Sequence, residues 1–122
     1  MTAESQNFTI YEGEDKTVDI YVTESSGGST VNIGTPTSIT WSVKASAATA
    51  ASALIEKTYA GGQIAVGNGN GTNDKLSITL DAADSQGLEG ETYYHECRVV
   101  DAASDNHVVT TGAMSVRNSA TG

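Results

Sequence analysis

Hydrophobic and polar residues alternate with a period of two through most of this chain, and the clearest run closes it. Between Gly87 and Val116, Tyr93, His95, Cys97 and Val99 share one parity, and Tyr94, Glu96, Arg98 and Val100 share the other. That is the signature of a half-buried strand. A second arm follows in which Val108, Met114 and Val116 share a face with Thr110 and Gly112, leaving Thr111 and Ser115 toward water. Together the arms predict a closing β-hairpin.

The same period recurs upstream. Gln6 to Tyr11 places Phe8 and Ile10 inward and ends at the turn Glu12-Gly13-Glu14-Asp15, while Lys16 to Thr23 places Val18, Ile20 and Val22 inward. After a loop at Ser25 to Thr30 and Pro36, Thr37 to Lys44 alternates through Ile39, Trp41 and Val43. Short strands are expected at Ala53 to Thr58 and Gln63 to Val66 around a Gly61-Gly62 turn, and at Lys75 to Leu80 with Leu76, Ile78 and Leu80 inward. Asp81 to Gly90 then crosses back to the hairpin. Two stretches break the pattern. Ala45 to Ala53 has alanine's helical propensity but no long apolar stripe, so a helical turn or ordered loop is expected. Gly67 to Asp74 is a loop in which glycine and asparagine tolerate positive φ.

About seven or eight short strands at this spacing predict an all-β, immunoglobulin-like antiparallel β-sandwich. It forms a single domain over residues 1–122, with flexible termini at about 1–5 and 118–122. At 122 residues the chain is long enough to bury roughly two thirds of its unfolded surface. Trp41 and Cys97 fall roughly where an immunoglobulin domain keeps its core tryptophan and second cysteine, yet Ile20 and Val22 occupy the partner strand. Packing alone must hold this sandwich. Cys97 is the only cysteine, so neither an internal disulfide nor a multi-thiolate zinc site can form.

A net charge of -9 disfavours nucleic acid and anionic membrane as partners, since either would repel the domain. The start MTAESQNFTIYEGEDK lacks a basic segment followed by an apolar core, so no secretory signal is expected. The sequons at Asn7 and Asn70 then carry little weight.

No residue type stands in a pattern that demands chemistry. His95 is expected as a core histidine bonded to a backbone group, and Cys97 as a small buried apolar residue. His107, at the hairpin tip, has no nucleophile-elbow motif to serve. Asp81, Asp84, Glu89 and Glu91 do not follow the alternation of a calcium-binding loop, and the Gly67 to Asp74 loop lacks a repeated glycine-aspartate pattern. No catalytic residue, metal or cofactor is therefore assigned. Outward tyrosines at 11, 21, 59 and 94 offer contact area of the kind interfaces use, although sheet propensity also explains them. Glu96 and Arg98 mark the outward face of the hairpin's first arm, able to pair with neighbours or to meet another subunit.

The succession Ile39-Thr40-Trp41, Ile55-Glu56-Lys57-Thr58, Gly61-Gly62-Gln63-Ile64 and Leu76 to Leu80 continues through Leu88, Gly90 and Tyr93 to Val99, and ends in Thr111-Gly112-Ala113-Met114-Ser115-Val116. This ensemble, from Ile39 to Val116, resembles small phage virion domains. It is similar to the N-terminal immunoglobulin-like domain of siphophage upper baseplate proteins and to related tail, neck and head-surface proteins. The Ala45 to Ala53 stretch is longer than the corresponding loop, and no coiled or fibrous extension follows before Gly122. The resemblance implies a non-enzymatic virion structural protein, made in the host cytoplasm as a head-decoration or neck/tail accessory subunit. Its partners would be capsid, neck or tail subunits, bound in multiple copies. On the strength of their outward or loop positions, not of the resemblance, Tyr94, Glu96, Arg98, Asn68 and Asn70 are the residues expected to make those contacts. The competing expectation is a carbohydrate-binding or host-adhesion module, which would need an exposed aromatic platform; a small hydrolase lacks its motifs.

Overall fold

In the computed structural model, residues 4–23 (4 and 5 as backbone), 31–34, 36–45, 53–85, 88 and 90–117 are described, and their alternating stretches become strands of two sheets. The expected loop at 25–30, most of the alanine-rich stretch (46–52), the first three residues of the expected N-terminal arm and the tail at 118–122 lie outside the described residues, while residues 4 and 5 of that arm are held in a strand. The larger sheet contains β1 (Glu4–Ser5), β2 (Phe8–Tyr11), β4 (Ser38–Lys44), β5 (Ala53–Thr58), β8 (Thr92–Val100) and β9 (Asn106–Arg117). Its order is β1-β9-β8-β4-β5, with β2 also on β9. The smaller sheet is β3 (Lys16–Tyr21), β7 (Lys75–Leu80) and β6 (Ile64–Gly67), in the order β3-β7-β6. A short helix, α1 (Ala82–Ser85), lies on the crossing segment.

This is an all-β, immunoglobulin-like sandwich. Taking β1 and β2 as successive pieces of strand A, the sheets read A-G-F-C-C′ and B-E-D, the partition of that fold except that strand A joins G instead of B. Among the described residues, every strand pairing is antiparallel except at one edge, where β1 and β2 run parallel to β9. The parallel edge arises because β2 leaves through the Gly13 turn (φ 78°) into the opposite sheet instead of folding back on its neighbour. The expected first strand is also divided at Gln6-Asn7, and there the Asn7 side chain accepts the Ala113 N–H (2.9 Å).

Inward positions follow the alternation. Ile39, Trp41 and Val43 of β4 and Tyr93, Cys97 and Val99 of β8, from the larger sheet, share one buried hydrophobic core with Val18 and Ile20 of β3 and Leu76, Ile78 and Leu80 of β7, from the smaller. Trp41 lies at the centre of this layer with no exposed surface, and truncating it to alanine would cost about 3 to 5 kcal/mol. One expected face is corrected on β9. Cys97 pairs with Thr110 but Arg98 pairs with Val108, so Val109 is an extra residue in a bulge. The bulge turns Val109, not Val108, into the core: Val109 is fully buried and Val108 only half-buried. Met114 and Val116 keep their inward places.

The inward alternation of β5 includes a cation. Lys57 lies buried beside Ile55 and is neutralised by Asp84 of α1 at 2.7 Å. Asp15 and Ser85 complete this corner, receiving the Ala82 N–H (2.7 Å) and the Gly13 N–H (2.9 Å) respectively. The crossing segment is thereby tied both to β5 and to the β2–β3 turn.

Candidate functional site

The two faces of the larger sheet hold different kinds of residue. On the inward face, Trp41 Nε1–H can only donate, so its bond to His95 Nδ1 (3.2 Å) requires that nitrogen to accept. The proton of the neutral ring is then on Nε2, which donates to the Gln6 carbonyl at 2.6 Å. Burial holds the imidazole below the ordinary histidine range, against the smaller opposing effect of the Gln6 carbonyl. Phe8 packs edge-on against the ring at 5.1 Å. Both ring nitrogens are occupied, by Trp41 and by the Gln6 carbonyl, so His95 is built as a structural tie.

That tie depends on a missing side chain. Gly112 is the cross-strand partner of His95, and a Cβ there would collide with the Gln6 carbonyl. Gln6 also donates its N–H to Thr111 O (2.9 Å) and its side-chain amide to Asp19 O of β3 (3.0 Å). The kink between β1 and β2 is thus fastened to both sheets. Sequence reading placed His95 correctly in the core but missed Gln6 as its partner, since nothing local marks a contact across 89 positions.

Cys97 is equally withdrawn. Burial, with a lesser contribution from Glu96, pushes its thiol up to about 12, far from a nucleophilic thiolate at neutral pH. His107 closes the β8–β9 tip by bonding Asp101 Oδ2 at 3.0 Å, while Asp101 Oδ1 accepts the N–H groups of Ala103 and Asp105. Those bonds, the Asp105 N–H foremost and then His107, hold the Asp101 carboxyl below its usual range. The tip is a carboxylate-capped turn.

The outward face carries what can meet a partner. Tyr94 and Glu96 are half-buried and Arg98 is exposed, consecutive on one side of β8. Thr40, Ser42 and Lys44 of β4 join Glu96 and Arg98 to line a shallow polar groove. Glu96 and Arg98 approach each other at 3.6 Å along the same strand, instead of pairing across the sheet. An ion pair this exposed contributes little to stability. Partial burial raises the Tyr94 hydroxyl above its ordinary range, Glu96 adding to the effect and Arg98 opposing it. A second open cleft lies at the β2–β9 edge, lined by Tyr11, Glu91, Thr92, Ser115 and Arg117.

Asn68 and Asn70 are exposed on the loop between β6 and β7, remote in sequence from the β8 residues and on the other sheet. This loop uses the left-handed region at Asn73 (φ 50°) alone, and none of its glycines is at positive φ. Its shape comes from Asp74 instead. The Asp74 carboxylate is buried and accepts the N–H groups of Gly69 (2.7 Å), Asn70 (3.0 Å) and Gly71 (3.0 Å). Burial alone would favour the protonated acid, but these donors outweigh it and hold the carboxyl below its usual range. Asn68 Oδ1 accepts the Asn73 N–H, and the Tyr21 ring covers Gly69 so closely that a Cβ there would sit 2.7 Å from it. Asp74 had no assigned role in the sequence, although a lone acid ending a glycine-asparagine run is the one visible signal.

Among the described residues, no cluster of three or more His, Cys, Asp or Glu side chains is arranged to hold a metal, and no helix is long and apolar enough to cross a membrane. Comparison with protein-family models and with curated proteins finds no match for this chain.

Proposed function

We propose that this chain is a non-enzymatic structural subunit of a phage particle, a head-decoration or neck/tail accessory protein that acts through contacts with other virion proteins. The observation that carries the reading is the division between the faces of the larger sheet. Its inward face takes His95 and Cys97 out of solvent, whereas its outward face presents Tyr94, Glu96, Arg98 and the adjoining groove. An immunoglobulin-like sandwich and the sequence resemblance from Ile39 to Val116 agree with that assignment. In this reading β8 supplies the principal contact, and the Asp74-fastened loop with Asn68 and Asn70 a second one. Quantitative mass spectrometry of purified particles tests it. The chain is expected in many copies per particle, and its absence from particles made in cells that express it would overturn the proposal.

A second reading, a carbohydrate-binding or host-adhesion module, draws on a specific observation. Trp41 is buried and cannot serve as a platform, but Tyr11 (50% exposed) borders the cleft that also contains Glu91, Thr92 and Arg117. Saturable binding to a glycan array, lost on Tyr11→Ala, would favour that reading.

A further inference from the structure

We propose that Asn70-Gly71 is a deamidation site and that the Asp74 carboxylate governs how fast it and its neighbour Asn68-Gly69 react. The chemistry belongs to asparagine followed by glycine. The glycine main-chain nitrogen attacks the asparagine Cγ and loses its proton, the Cγ–Nδ2 bond breaks, and ammonia leaves with that proton. Water then opens the resulting cyclic imide to an aspartyl or isoaspartyl residue, so that an NH group is exchanged for oxygen and a negative charge appears. Glycine favours the attack because it has no Cβ to obstruct it and its backbone turns readily.

Both attacking nitrogens in this loop are already committed. Gly69 N–H points to Asp74 Oδ1 at 2.7 Å and Gly71 N–H to Asp74 Oδ2 at 3.0 Å. A nitrogen aimed at a buried carboxylate must leave it before turning toward its own preceding side chain. Reaction therefore requires local opening of the loop, and bonds to a charged acceptor resist opening more than neutral ones. The two asparagines differ in a second respect. Asn68 Oδ1 is also held by the Asn73 N–H at 3.0 Å, whereas Asn70 is exposed and no second bond to its side chain fixes it among the described residues. Asn70 is consequently the faster of the two.

The test is peptide mapping by mass spectrometry, with isoaspartate detection, after incubation of the full chain in mildly alkaline buffer. Three samples are compared: the folded protein, the same protein in urea, and folded Asp74→Ala. Folded wild type is expected to deamidate at least about tenfold more slowly than the urea sample at both positions, the slowing that a charge-assisted bond can impose. Asn70 should react before Asn68, and Asp74→Ala should move both rates toward the urea values. If Asp74→Ala does not fold, the folded and urea samples of wild type still decide, through the protection and the order. Equal rates in folded and unfolded wild type, Asn68 reacting first, or a folded Asp74→Ala protein with unchanged rates would each overturn the proposal.

Discussion

Replacing Gly112 with alanine should cost far more than its single methyl suggests. The added Cβ would collide with the Gln6 carbonyl oxygen and lie 2.7 Å from its carbon, and both are backbone atoms that cannot swing aside. Relief requires the β1–β2 kink to lift from β9. Lifting it breaks three bonds of Gln6: its N–H to Thr111 O, its carbonyl to His95 Nε2 and its amide to Asp19 O. At about 1 kcal/mol each the loss is about 3 kcal/mol, with the buried His95 donor left unmatched. Alanine's lower unfolded-state entropy returns about 0.5 to 1 kcal/mol, leaving a net destabilisation of about 2 to 3 kcal/mol. Urea denaturation followed by fluorescence of Trp41, the only tryptophan, measures it at the residue His95 touches. Gly62→Ala is the control, since Gly62 has positive φ (77°) but no atom within 4 Å of where a Cβ would stand, and only conformational strain of about 1 kcal/mol applies. Amide exchange should also quicken at Phe8 to Tyr11 in Gly112→Ala before it does in β4 or β8. A Gly112→Ala protein no less stable than Gly62→Ala would refute this account of the N-terminal edge.

Two further outcomes concern the same core. His95 is held below the ordinary histidine range in the folded state, so between that lowered value and about 6.5 the unfolded chain binds a proton that the native one does not, and stability falls as the pH drops through this window. Urea midpoints measured across the window should lose this dependence in His95→Gln; an unchanged slope would exclude His95 as its source. Cys97, buried with its thiol pushed up to about 12, should resist a thiol reagent at neutral pH until the chain unfolds, and rapid labelling under native conditions would contradict its placement.

The period-two pattern carried most of the architecture because half-buried strands must alternate, and Trp41, His95, Cys97 and Val99 were legible on that ground alone. What escaped was non-local or local in the wrong way. The bulge that exchanges Val108 for Val109 adds one residue without changing composition. The parallel pairing of β2 with β9 leaves no mark on either strand, because a strand's alternation is the same whichever way its neighbour runs. Lys57 breaks the apolar inward rule, and only the fold brings Asp84 to neutralise it. In the Gly67 to Asp74 loop, asparagine and glycine announced a turn, but the carboxylate that fastens it acts through backbone donors that sequence does not display. On the outward face, Tyr94, Glu96 and Arg98 were placed together by alternation, while the groove beside them required β4 to arrive next to β8.

The proposed role of that face is tested most directly by particle incorporation of an Arg98→Glu, Glu96→Lys double variant, which exchanges the two charges while leaving the core untouched. The variant should fold with wild-type urea stability to within about 0.5 kcal/mol, as surface substitutions away from the core do. It should nevertheless be depleted from purified particles relative to co-expressed wild type. Incorporation equal to wild type by a correctly folded variant would contradict the assignment of this face to assembly.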